Sequence, residues 1–184
     1  MTSAYIVLTG INILLAWSVY VIMLSGQVSI GNSAFMAIGA YVSGIMTVKF
    51  DMPLVLALVV SCLVSAIVGA GIGFPAIRLK GVYLIMVTIG IAASVETLFQ
   101  NIPYVGGVGG FGGMYGTTVT LVLICVAIVG FILWWISKTP LQRVFEAIRE
   151  DERVAASMGI NVTYVKVFAF AIGAGIAALA GGLF

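Results

Sequence analysis

The chain has 184 residues, 62% of them hydrophobic and 8% charged, and its eight basic and six acidic residues give a formal net charge of +2. Soluble domains carry about 45–50% apolar and ~25% charged residues, so this few charges cannot cover a water-facing surface. That excludes a soluble enzyme, a secreted disulfide scaffold and a disordered tail. The weak positive balance excludes a nucleic-acid binder. A chain of this composition belongs in a lipid bilayer.

A bilayer core of ~30 Å needs ~20 apolar residues of helix. The first such run, Ala4–Leu24, is uncharged; with no basic residue before it and no small-residue cleavage site, it reads as a span rather than a signal peptide. A polar, glycine-bearing interruption at 25–33 follows, then a short apolar segment at 34–48 and a turn marked by Lys49, Asp51 and Pro53. Further apolar runs occupy 54–73, 82–101 and 119–136, and a last one begins near Val165 and reaches Phe184. The expected fold is therefore all-α, a polytopic transmembrane bundle of about five to six spans. Its second segment is short or broken.

Lys and Arg in short loops set orientation. Seven of the eight basic residues fall in the loop around Arg78 and Lys80 or in the segment holding Lys138, Arg143, Arg149, Arg153 and Lys166. Two spans separate these stretches, so they share a side, and the positive-inside bias makes it cytoplasmic. The turn at Lys49 and the glycine-rich stretch 103–118 then face outward, as does the amino terminus if the first two segments each cross once.

Several chemistries are absent from the sequence. It has no histidine, which removes His-based acid–base catalysis and His-ligated metals, and Cys62 and Cys125 lack the spacing of a zinc site or a disulfide framework. There is no phosphate-binding G-x-x-x-x-G-K-[ST] motif, so the chain has no nucleotide hydrolysis of its own, and no cofactor is expected. The run 107–112 satisfies G-x-G-x-x-G by letter only, since no βαβ pattern surrounds it. Gly69-x-x-x-Gly73 and the ladders Gly173/Ala177/Gly181 and Ala174/Ala178/Gly182 read as close helix-packing surfaces.

The segment 137–164 is the one long charged stretch. Thr139-Pro140-Leu141-Gln142 has the form of a capping box with proline at the first helical position. Leu141, Val144, Phe145 and Ile148 then make one apolar helical stripe. A second short helix should run from about Glu150 to Met158 and end at Gly159 in a left-handed cap, with Asn161 or Thr163 capping the next helix. Two readings fit this helical elbow: a solvated connector, or a docking element for a soluble partner. Mixed charges around a small apolar face suit protein better than lipid.

Residues 146–161 (EAIREDERVAASMGIN) resemble the cytoplasmic loop of branched-chain amino acid ABC transporter permeases. Residues 26–35 (GQVSIGNSAF) with 38–41 (IGAY) look like the family's first signature, and 75–83 (PAIRLKGVY) with 87–90 (VTIG) are similar to a third. The three stand in the family's order and cover essentially the whole chain, with the closer fit to the M-type of the two paired permeases. Departures fall at Asn32, at Val82 and at Glu96, which comes a few residues later than the family's acidic position. The family's carboxy-terminal third has no counterpart, so the chain is expected to be part of a longer permease domain.

The resemblance implies that the loop holds a coupling helix seated on an ATPase subunit, through Glu146, Ala147, Arg149, Glu150, Asp151, Glu152, Arg153, Ala155, Ala156 and Gly159. It implies a second permease subunit, cytoplasmic ATP-binding subunits and an extracytoplasmic solute-binding protein, in a bacterial inner membrane. The chain itself would catalyse no bond change.

The break at 26–33 reads either as a plain turn or as a discontinuous helix, which is tolerated in a membrane only against a cavity or other protein. The resemblance favours a cavity lined by Gln27, Ser29, Asn32 and Ser33. Thr88, Ala92, Glu96 and Gln100 recur every four residues on one helix face, suited equally to a water-lined path or a helix interface. A secondary transporter coupled to ions through Glu96 is the alternative function, and an intramembrane enzyme would lack a catalytic constellation.

Overall fold

The computed structural model describes residues 2–76, 79, 81–102 and 117–184. Among them are eight helices and no strand: α1 (Thr2–Leu24), α2 (Asn32–Lys49), α3 (Leu54–Ala76), α4 (Val82–Asn101), α5 (Val119–Lys138), α6 (Pro140–Glu150), α7 (Glu152–Ser157) and α8 (Val162–Leu183). Five of them, α1, α3, α4, α5 and α8, are long and apolar enough to cross a membrane. The protein is a polytopic helical bundle. The expected short second segment is α2, whose 18 residues stand outside those five. Arg78, Lys80 and most of the glycine-rich stretch lie outside the described residues.

α8 is the hub, packing along α3, α2 and α1, while α5 leans on α1 and α4 on α2. Lipid is as apolar as leucine, so helices in a bilayer associate by close contact rather than by hydrophobic transfer, and small residues permit that contact. The two small-residue ladders of α8 serve this purpose. A Cβ on Gly181 would overlap the Met36 carbonyl, and one on Gly39 would overlap the backbone of Ala178. Gly69 meets Ala174 in the same way across α3 and α8. Around these contacts lie two apolar clusters, one containing Leu14, Val122 and Leu183, the other Ile22, Phe35 and Phe170. In the second, the Phe35 and Phe170 rings meet edge to face at 6.5 Å. α4 rests on α2 through Tyr41 and Phe99, whose rings stack at 4.2 Å.

The elbow forms as two helices. Phe145 and Ile148 are buried and Leu141 and Val144 half-buried, so the apolar stripe of α6 faces the bundle. Gly159 takes φ +84°. Its N–H bonds the Ala156 carbonyl and the Ile160 N–H the Ala155 carbonyl, at 3.0 and 3.2 Å, the paired bonds of a Schellman cap. Asn161 caps α8, accepting from the Tyr164 N–H at 3.1 Å, which starts that helix at Val162 rather than near Val165.

The capping box at Thr139 forms differently. Thr139 occupies the N-cap of α6 but donates its hydroxyl back to the Trp135 carbonyl at 3.0 Å, and the Gln142 amide donates to Glu146 at 3.0 Å. α5 runs to Lys138, so its last turn offers the Thr139 hydroxyl a carbonyl acceptor.

Candidate functional site

The break between α1 and α2 penetrates the bundle. α1 ends at Leu24, and Gly26, at φ +76°, turns the chain so that non-helical residues 27–30 run back between the helices. The Ile30 N–H donates to Thr88 Oγ1 at 3.3 Å, and Asn32 Nδ2 donates to Ser18 Oγ at 2.6 Å. Ser18 and Thr88 each lie six residues from the nearer end of α1 and α4, which at 1.5 Å per residue is about 9 Å inside both. α2 therefore starts at membrane depth, as a discontinuous helix does.

Side chains along the break alternate. Gln27 and Ser29 are buried, while Val28 and Ile30 are about half exposed. Polar groups thus turn inward and apolar ones outward, the inverse of a soluble strand and the arrangement that lets irregular backbone exist beside lipid. Of the four residues expected to line a cavity, Gln27, Ser29 and Asn32 are buried together and Ser33 is exposed. The Ser29 hydroxyl accepts from the Gly31 N–H at 3.2 Å. Gly31 in turn lies against Thr88, where a Cβ would meet Thr88 Cβ at 3.2 Å. Among the described residues, both amide atoms of Gln27 and Asn32 Oδ1 are buried without a hydrogen-bond partner, an unfavourable state for polar groups that asks for an explanation.

The α4 stripe divides. Thr88 is buried in the break region, Ala92 is half-buried, and Glu96 and Gln100 are exposed. Gln100 Nε2 donates to Glu96 Oε1 at 3.2 Å. Eight residues of helix, about 12 Å, separate Glu96 from Thr88, so the structure does not bring Glu96 to the buried polar cluster.

On the elbow, Arg143, Glu146, Arg149, Glu150, Asp151, Arg153, Ala156 and Gly159 are exposed, Ala147 and Glu152 intermediate, and Ala155 buried. Asp151 caps α7, accepting from the Arg153 and Val154 N–H groups at 2.8 and 3.3 Å. Val154 and Met158, 49% and 74% exposed, put apolar surface amid these charges. Glu152 turns inward to an ion pair with Lys166, whose ammonium is buried at the foot of α8. Lys166 and Ser18 are the contributors missed in the sequence. A lone charge in the first turns of an otherwise uncharged apolar helix was the available signal for Lys166.

Three parts of the molecule meet here. Gln27 on the break, Glu152 on α7 and Lys166 on α8 line one cleft of about 260 Å³, together with the start of α4. Among the described residues no group of acidic, histidine or cysteine side chains is arranged to hold a metal.

A family model described as branched-chain amino acid transport system, permease component, matches residues 1–184. The high-affinity branched-chain amino acid transport system permease protein LivM of Salmonella typhimurium is 32% identical, and that of Escherichia coli 30%. Each alignment takes in all of this chain and 50% of the relative, so the chain spans about half the length of the curated relatives it matches. No solved structure matches it significantly. With five apolar helices, a broken second segment and a match along its full length, the chain belongs to the permease component family of the branched-chain amino acid transport system.

Proposed function

We propose that the chain is part of a permease subunit of an ATP-driven importer, passing branched-chain amino acids or similar small solutes across a bacterial inner membrane. It works with a second permease subunit, cytoplasmic ATP-binding subunits and an extracytoplasmic solute-binding protein. The observation that carries this reading is the elbow. Phe145, Ile148 and Ala155 fasten it to the bundle, while Arg149, Glu150 and Arg153 stand on its exposed edge with Val154 and Met158. A rigid, two-helix bracket of mixed charge suits a motor protein's groove, and movement of that motor would reach α8 through the bracket. The broken segment and Thr88 form the inner part of the solute path, and the side bearing the elbow is cytoplasmic.

The test is co-purification. With the transporter expressed whole, replacing the exposed charges of 146–153 by serine should leave the permease in the membrane and strip it of its ATP-binding subunits. Retention of those subunits at the wild-type ratio would overturn the coupling role.

A further inference from the structure

We propose that the groove between α1 and α5, at the end of the bundle bearing the elbow, is a site for one anionic phospholipid. Its acyl chain lies along Trp17 and Gly130, and its phosphate meets Lys138, with Tyr20 and Trp134 beside it. The inference goes beyond the transport reading and needs only that these helices span a bilayer.

The groove, of about 460 Å³, is lined by Ala16, Trp17 and Tyr20 of α1 and by Gly130, Leu133, Trp134 and Ser137 of α5. That volume falls within the ~300–1,000 Å³ of ligand sites, too large for a water or an ion. Gly130 makes the space: a Cβ there would meet Trp17 Cη2 at 2.9 Å. Tyr20 and Trp134 each stand four residues from the end of their helix, about 6 Å inside it, the depth at which amphipathic rings sit among headgroups. Gly130 lies eight residues from the end of α5, about 12 Å deep. The groove therefore runs the depth of one leaflet of a ~30 Å core.

The chemistry selects the occupant. Lys138 follows Trp134 by one helical turn and so stands on the same face, nearer water. Among the described residues, the Trp17 and Trp134 indole N–H groups, the Tyr20 hydroxyl and the Lys138 ammonium have no hydrogen-bond or ion-pair partner. Indole and ammonium only donate, and a phenol donates readily. A donor-rich mouth over an apolar groove fits a ligand with acceptor oxygens, a negative charge and an aliphatic tail. Basic groups at membrane helix ends recognise such headgroups. A partner helix fits poorly, because close helix contact needs small residues. The exposed face of α5 carries Phe131, Trp134 and Trp135, 65%, 58% and 64% exposed. Phe131 lies against Trp134 at 5.9 Å between ring centres and steadies it. α5 continues into the elbow through Thr139, so this lipid sits at the root of the coupling element.

The experiment titrates thermal protection of the full permease, delipidated in detergent, by phosphatidylglycerol and by phosphatidylcholine with the same acyl chains. Phosphatidylglycerol should protect the wild type at concentrations at least tenfold lower. Lys138→Gln should raise the phosphatidylglycerol midpoint at least fivefold and leave that of phosphatidylcholine in place. Trp134→Leu should raise both midpoints, and Trp135→Leu, beside the groove but outside it, neither. Lys138 is exposed, so Lys138→Gln should fold and decides the matter if Trp134→Leu does not. Equal protection of the wild type by the two lipids, or an unmoved phosphatidylglycerol midpoint in Lys138→Gln, would overturn the site. So would Trp135→Leu shifting the midpoints as far as Trp134→Leu, which would mean a general aromatic belt. A photoreactive phenylalanine at position 134, activated in native membranes, should capture phospholipid; capture of a second permease subunit or a second copy of this chain would overturn the occupant.

Discussion

Gly26 sits on the backbone of Arg149: a Cβ at Gly26 would approach the Arg149 Cα to 3.3 Å, from a residue whose φ is +76°. The turn that opens the helix break is thereby also a seat for α6. Gly26→Ala should cost about 1–2 kcal/mol for the left-handed backbone, with a further loss from the contact. Thermal unfolding in detergent would measure the cost, and amide exchange across 140–157 should accelerate. Gly81→Ala is the control. Gly81 has φ +59° but, among the described residues, nothing within 4 Å of its Cβ position, so the elbow should stay protected in this variant.

Packing on the hub gives a sharper contrast. Gly181→Ala would press a methyl into the Met36 carbonyl and should destabilise by about 1–3 kcal/mol or more. Gly71→Ala, on an exposed face of α3 with nothing within 4 Å, should be stabilising by about 0.5–1 kcal/mol, as expected for alanine over glycine in a helix. Melting temperatures of the two variants should move in opposite directions.

How much of this was legible follows from which interactions are local. The spans were readable because each is an apolar run of near-membrane length, and the elbow because Phe145 and Ile148 share a helix face and Gly159 ends it. Ser33 was grouped with Gln27, Ser29 and Asn32 by composition. The helix that begins at Asn32 turns about 100° per residue and carries Ser33 outward. The alternation of Gln27 and Ser29 with Val28 and Ile30 was visible in the sequence, but only its inverted sense, polar inside, marks it as a segment beside lipid. The Lys166–Glu152 pair was not readable, because it depends on how the Gly159 turn folds α7 back on α8.

Glu96 is exposed and shares a hydrogen bond only with its helical neighbour Gln100 among the described residues. Glu96→Gln should therefore leave assembly and melting temperature within about 0.5 kcal/mol of wild type, as for surface changes generally. On the pathway reading it should still slow uptake by several-fold. Unchanged uptake would remove Glu96 from the mechanism.

Met158 is the most exposed apolar residue of the elbow. If the elbow docks into a groove, a central apolar contact should dominate its binding. Met158→Asp should weaken attachment of the ATP-binding subunits by about 2 kcal/mol, or some thirtyfold, with the melting temperature of the permease unchanged. Affinity measured on the solubilised complex would check it.

The glycine-lined seams of α8 leave no slack against α1, α2 and α3, so those four helices can shift only as one block. Spectroscopic labels placed on that block should stay at fixed mutual distances through a working cycle. Labels on the loosely held α4 and α5 should be the ones that drift.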